Sequence, residues 1–243
     1  MSTAILSALA EEQAGLLALL QEAQTTRHAG REFHTGMLHG QSVVLALARI
    51  GKVAAATTAT ALIEHFGAQR IVFTGVAGGL AAAVRIGDVV VGEHFAQHDM
   101  DARPLFPRYE VPLYGRTLFD ADESLAAMIL VATNEAMRVA GSHFDADNRV
   151  HAGLIVSGDQ FVHGADAGAG LRERWPDALC VEMECAAVAQ VCLDYERPFA
   201  AARTISDRAD NSAAIDFTRF VNTVAGPFST HLVDALLRRL ARG

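Results

Sequence analysis

The chain has 243 residues, 51% of them hydrophobic, and a net charge of −8 with a pI near 5.6. That length and apolar fraction supply one large α/β core, and the acidic balance argues against a duplex nucleic-acid surface. No Pro- or Ser-rich linker divides the chain, so a single domain over residues 1–243 is expected.

Residues 3–9 read as a first strand, and Glu11 to Ala23 as a helix carrying Leu16, Leu17, Leu19 and Leu20. Phe33–Leu38 and Val43–Ala48 read as strands joined by a tight turn at His39-Gly40. Gly51 opens an alanine-rich helix over 52–66, which stops before Gly67. Arg70–Thr74 is a buried strand. The following Gly75-Val76-Ala77-Gly78-Gly79 reads as a turn whose backbone N–H groups can approach a ligand. It has neither GxGxxG spacing nor a following GK[ST], so it supports neither a dinucleotide fingerprint nor a P-loop. Asp88–Phe95 is a further strand, and 102–115 is irregular, with three prolines. A helix is expected over Asp120–Val139 and a strand over Val150–Ser157. A strand at Ala178–Cys180 runs into a helix over Cys185–Cys192. A strand over 198–205 ends at Ser206-Asp207, and a last helix covers 216–240. Strands alternating with helices predict an α/β fold with a mixed, mostly parallel sheet.

Ligands of such sheets sit at the carboxyl ends of the strands. Leu9-Ala10-Glu11-Glu12, Gly75–Gly79, Gly158-Asp159-Gln160-Phe161, Glu182-Met183-Glu184 and Ser206-Asp207 all fall there. Glu182 and Glu184, at i and i+2 of an extended segment, project to one side. Glu182 alone would serve as a helix cap, whereas a pair of acids suits a sugar diol. Phe161 adds a stacking face worth about 1–3 kcal/mol on a base. The combination fits a small polar ligand with a flat apolar part, such as a nucleoside.

Other chemistries are poorly served. Lys52 is the single lysine against nineteen arginines, which leaves little scope for Schiff-base catalysis. Cys180, Cys185 and Cys192 lack CxxC spacing and read as buried, reduced thiols. His98-Asp99-Met100-Asp101 has metal-ligand residue types, but alternation on an extended run turns them to opposite sides. A hydrogen-bonded polar segment is the better reading, and neither metal nor cofactor is expected. The N-terminal residues lack a basic region before their apolar stretch, and no uninterrupted apolar run reaches membrane-spanning length. A soluble, cytoplasmic protein without membrane or nucleic-acid partners is expected.

Seven segments together carry a resemblance: Ala8-Leu9-Ala10-Glu11-Glu12, Gly51-Lys52-Val53-Ala54-Ala55, Thr74-Gly75-Val76-Ala77-Gly78-Gly79-Leu80, Gly87-Asp88-Val89-Val90, Val156-Ser157-Gly158-Asp159-Gln160-Phe161, Val181-Glu182-Met183-Glu184 and Arg203-Thr204-Ile205-Ser206-Asp207. In this order they resemble the nucleoside phosphorylase/nucleosidase superfamily, in the pattern of its bacterial 5′-methylthioadenosine/S-adenosylhomocysteine nucleosidases. The resemblance runs from residue 4 to about 238 and implies a single-domain, three-layer α/β/α fold.

It further implies hydrolysis of an N-glycosidic bond to adenine. Asp207 would protonate N7 of the base, and Glu12 would activate the attacking water. Glu184 would bind the ribose hydroxyls, with Met183 beneath the sugar. Phe161 would stack on adenine, the Val162 backbone would read its edge, and Arg203 would hold the carboxylates and water. Leu9, Ile50, Val76, Ala77, Gly78, Glu182, Ser206 and Phe217 complete the implied substrate-binding set. A homodimer is implied, with residues 102–114 near the partner's site.

Three departures stand out. Val76 replaces a small hydroxyl residue, Leu9 a methionine, and Arg49 has no associated role. The superfamily's phosphorylases carry an arginine two residues before the first glycine of 75–79 and a serine one after it. Here those positions are Phe73 and Val76, which favours hydrolysis over phosphorolysis. A nucleosidase for aminodeoxyfutalosine or 5′-deoxyadenosine remains an alternative. So does a non-catalytic nucleoside-binding protein, against which the presence of Glu12, Glu184 and Asp207 together speaks.

Overall fold

The computed structural model describes residues 2–140, 144–145, 147–210, 213, 217, 220, 224 and 226–242. Its strands are β1 Ser2–Ser7, β2 Gln21–His28, β3 Arg31–Leu38, β4 Gln41–Leu47, β5 Arg70–Gly79, β6 Val89–Gln97, β7 Leu118–Asp120, β8 Val150–Ser157, β9 Ala178–Glu182 and β10 Phe199–Asp207. Its helices are α1 Ala10–Leu19, α2 Lys52–Glu64, α3 Glu123–Val139, α4 Ala165–Arg174, α5 Cys185–Asp194 and, last, α6 Gly226–Leu240.

The sheet is mixed. Two parallel blocks, β4–β1–β5–β10 and β6–β8–β9, meet at antiparallel seams between β10 and β6 and between β9 and β5. The two seams close β5, β10, β6, β8 and β9 into a ring, while β3 and β2 extend the sheet beyond β4 as an antiparallel margin. Strand residues alternate between two cores, as a period of two requires. Ala4, Leu6, Ile71 and Phe73 face α2 and α5, whereas Ile5 and Val72 face α1, α3 and α6. Helices on both faces give the three layers.

β5 is where the sheet forks. Its first half, Arg70–Thr74, pairs with β1, but Gly78 and Gly79 pair with Val181 and Cys180 of β9. β1 and β9 therefore diverge from one edge of β5. The crevice between them receives the first turn of α1 and the β9–α5 junction, the kind of switch point where α/β sheets bind ligands.

Several expectations are corrected. Gly75–Gly79 is strand, not turn: Gly75, Gly78 and Gly79 lack positive φ and pair with β10 or β9. The helix expected to reach Ala23 ends at Leu19, and Gln21–His28 forms β2. That strand is exposed along nearly its whole length, so it carries no apolar alternation. Leu118–Asp120 is a short strand where a helix was expected to begin. α3 starts later, capped by Asp122, whose carboxylate accepts the Leu125 N–H at 2.8 Å. α4 was not anticipated, because only Gly168 and Leu171 of its ten residues are buried. The first part of the helix expected over 216–240 lies largely outside the described residues; 226–240 is helical. The β3–β4 turn is as anticipated, with His39 and Gly40 at φ 50° and 73°.

Candidate active site

The β9–α5 junction separates the two acids that the sequence pairs. Glu182, at the end of β9, accepts the backbone N–H of Glu184 at 3.1 Å and of Cys185 at 2.9 Å. It also accepts the Ser157 hydroxyl and the Arg203 guanidinium, the latter at 2.7 Å. Burial works against its charge, but Arg203 and these hydrogen bonds hold its carboxyl below the usual range. Glu182 is thus both the cap of α5 and half of a buried ion pair.

Glu184 is left with far fewer donors. Its Oε1 accepts the Gly51 N–H at 3.0 Å, and Oε2 stands 3.7 Å from Arg203. Burial, followed by the charge of Glu182, raises its pKa. A carboxylate with unused acceptor capacity facing a crevice can take hydroxyl donors.

Arg203 comes from β10 and is fully buried. Its guanidinium lies 4.0 Å above the Phe73 ring, a cation–π contact. Its Nη1 and Nε have no protein partner, and neither does Oε1 of Glu12. Glu12 is at the third position of α1 and folds back so that Oε2 accepts the Ala8 and Leu9 N–H groups at 2.9 and 3.0 Å. Burial pushes its pKa up to about 7, against the opposing pull of those hydrogen bonds and Arg203.

The orphan groups meet at Gly75. A Cβ there would lie 2.6 Å from Arg203 Nη1 and 3.2 Å from Glu12 Oε1. Glycine in β5 therefore keeps space between a base and a cation rather than making a turn. Gly78 does the same for Asp207, whose Oδ1 a Cβ would approach to 2.9 Å. Asp207 ends β10, where its carboxylate accepts the Ser206 hydroxyl and the Ala209 N–H, each at 2.8 Å.

The crevice encloses about 610 Å³ to its open mouth. Leu9, Ile50, Val76, Ala77, Gly78, Phe161, Val162, Glu182, Met183, Glu184, Ser206, Asp207 and Phe217 line it, while Glu12 and Arg203 stand behind the lining. Phe161 is half-exposed, with Phe217 edge-on at 5.6 Å. Among the described lining residues there are three carboxylates and no Arg, Lys or His. Ala8, Gln160 and Val181 also line the crevice and were not singled out; they neighbour motif residues. Ser157, Gly51 and Phe73 act through other residues, so only their packing reveals them.

The 98–101 segment is a polar network. Asp99 accepts Lys52 Nζ at 2.5 Å and the Asp159 N–H at 2.9 Å, while Asp101 pairs with Arg103. The three cysteines are free and buried, and burial raises their pKa values. No helix among the described residues is long and apolar enough to cross a membrane.

The family model described as the Phosphorylase superfamily matches residues 2–238, and the chain belongs to that superfamily. Solved structures of particular enzymes are similar to it. A 5′-methylthioadenosine/S-adenosylhomocysteine nucleosidase from Neisseria meningitidis, in complex with methylthio-immucillin-A, is similar at 34% identity and TM-score 0.87, with 98% of this chain and 99% of that one covered. The enzyme of the same name from S. pneumoniae, with a transition-state inhibitor, has 32% identity, coverage of 99% and 100%, and TM-score 0.86. A futalosine hydrolase of Helicobacter pylori is similar at 31%, with 98% of each chain covered and TM-score 0.87.

Proposed function

We propose that this protein hydrolyses the N-glycosidic bond of 5′-substituted adenosines, with 5′-methylthioadenosine and S-adenosylhomocysteine as substrates. The observation that carries the choice of hydrolysis is the crevice lining, with three carboxylates and no cationic side chain among its described residues. Such a lining offers a phosphate nucleophile no cationic side chain, while acids beside the ribose stabilise a cationic sugar. Phe73, in place of an anion-binding arginine, packs beneath Arg203 instead.

The chemistry follows from the placements. Adenine is a poor leaving group until N7 is protonated, and Asp207, which lines the crevice with Phe161, donates that proton. As the C1′–N9 bond breaks, its electron pair goes to the base and the ribose becomes oxocarbenium-like. Glu184 takes the 2′- and 3′-hydroxyls, with Met183 under the ring. A water held by Glu12 Oε1 and Arg203 Nη1 beside Gly75 attacks C1′, and Glu12 accepts its proton. With a pKa of about 7, Glu12 is a base poised for neutral pH.

With base and ribose so placed, Leu9 and Ile50 are left to wall the 5′ substituent. Ile50 is 61% exposed, and Leu105 and Leu113 are 83% and 91% exposed. A two-fold homodimer in which residues 102–114 close over the partner's 5′ pocket would cover these groups. The likeness to a futalosine hydrolase makes an aminodeoxyfutalosine substrate the second reading.

Adenine release in phosphate-free buffer tests the proposal. A free thioribose product at a rate independent of phosphate is expected. A phosphate requirement with a 1-phosphate product, or no release from either substrate, would overturn it.

A further inference from the structure

A second cleft, of about 670 Å³ to its open mouth, lies between α1, the β2–β3 turn and the end of β4. Its lining includes Gln13, Arg27, Arg31, His34 and Arg49, with Glu32 as its one acid. This is a basic pocket on a chain of net charge −8. Arg27 and Glu32 pair with each other at 3.0 Å, while no carboxylate among the described residues pairs with Arg31 or Arg49. Arg31 is anchored by the carbonyls of Ala29 at 3.0 Å and Ala54 at 3.2 Å, and its buried Nε has no partner. Arg49 donates to the Gly30 carbonyl and holds a left-handed backbone at φ 62°. Burial, then the nearby Arg49 charge, lowers the Arg31 pKa.

Gln13 supplies the independent sign of a ligand. It is only 3% exposed, yet its Nε2 lacks a hydrogen-bond partner. Leaving such a donor unsatisfied costs about 1–3 kcal/mol. A buried amide and two unpaired guanidiniums around one cleft match the donor pattern that a carboxylate or phosphate accepts.

Position narrows the choice. Leu9 lines the active-site crevice as the residue that precedes α1, and Gln13 is the fourth residue of that helix, directly after Glu12. Ile50 lines the crevice and Arg49 immediately precedes it. The basic cleft thus adjoins the wall assigned above to the 5′ substituent. We infer that Gln13, Arg31 and Arg49 bind a carboxylate at the far end of the chain carried on the 5′ carbon of the nucleoside. This rests on the proposed nucleosidase reading and deepens it: of the two proposed substrates the cleft favours S-adenosylhomocysteine, whose 5′ chain ends in a carboxylate, and leaves methylthioadenosine unaffected.

The test compares S-adenosylhomocysteine, its decarboxylated aminopropyl counterpart and methylthioadenosine, by adenine release and by calorimetric binding, in wild type, Arg49→Gln and Arg31→Gln. Wild type should favour S-adenosylhomocysteine over the decarboxylated compound by about tenfold to a hundredfold, the range of one charge-assisted contact. Arg49→Gln should remove that preference through KM while changing methylthioadenosine turnover less than about twofold. Arg49 is exposed, so this variant carries the test even if Arg31→Gln misfolds. Equal binding of the carboxylated and decarboxylated compounds by wild type would overturn the cleft assignment. So would binding of inorganic phosphate that Arg49→Gln abolishes without any effect on the S-adenosylhomocysteine preference. Selective binding without adenine release from any compound would instead refute the hydrolase and leave the cleft standing.

Discussion

Glu12→Gln changes one atom of the site and should move activity and stability in opposite directions. Glutamine also suits the third position of a helix start, and its carbonyl oxygen can still accept the Ala8 and Leu9 N–H groups. The fold should therefore hold. What disappears is a buried carboxyl whose pKa is raised from 4.5 to about 7. A raised carboxyl favours the folded state while protonated; that contribution is complete below about pH 4.5 and is lost as pH rises through about 7. The shift is worth roughly 3 kcal/mol. At about pH 8 the variant should be more stable than wild type by up to that amount, or about 6–12 °C in Tm for a chain of this size. Near pH 4, below the unfolded value of 4.5, the difference should almost vanish. General-base catalysis is worth about 10²–10⁴-fold, so kcat should fall by that factor. The acidic limb of the kcat/KM profile, centred near pH 7 in wild type, should be lost. Calorimetry across this pH range with a spectroscopic adenine assay reads both quantities. Turnover within tenfold of wild type, or a Tm difference that does not vary with pH, would refute the reasoning.

Asp207→Asn keeps an acceptor for the Ala209 N–H but has no acidic proton, so kcat should fall about 10²–10⁴-fold with substrate-analogue affinity little changed. Gly75→Ala places a methyl 2.6 Å from Arg203 Nη1; a destabilisation of about 1–3 kcal/mol and a kcat loss exceeding it are expected, and wild-type turnover would remove the proposed water position. Sedimentation at micromolar concentration should give a species near twice 25.8 kDa. Leu105→Ala with Phe106→Ala should raise KM for thioalkyl substrates more than for adenosine, and a fully active monomer would exclude the shared site.

Segments whose character is set locally were legible from the residues. Val150–Ser157 is apolar throughout much of its length and is a strand with those bounds, and His39-Gly40 makes its turn by local backbone preference. The motif residues around Glu12, Phe161, Glu184 and Asp207 were legible because each follows a buried strand, and strand ends converge on one rim. β2 was not legible: its polar, exposed residues become a strand only because β3 offers an unpaired edge. Nor does a glycine reveal whether it serves a turn or a close approach. Gly75 and Gly78 were settled by Arg203, Glu12 and Asp207, which arrive from β10 and α1. The different duties of Glu182 and Glu184 also needed tertiary structure, since both are strand-end acids until Arg203 claims one of them. The basic cleft draws Gln13, Arg31 and Arg49 from separate elements, none of which carries a motif. Backbone preference and hydrophobic period act over a few residues and can be read from order alone, whereas charge pairing and burial depend on which distant segments the folded sheet brings together.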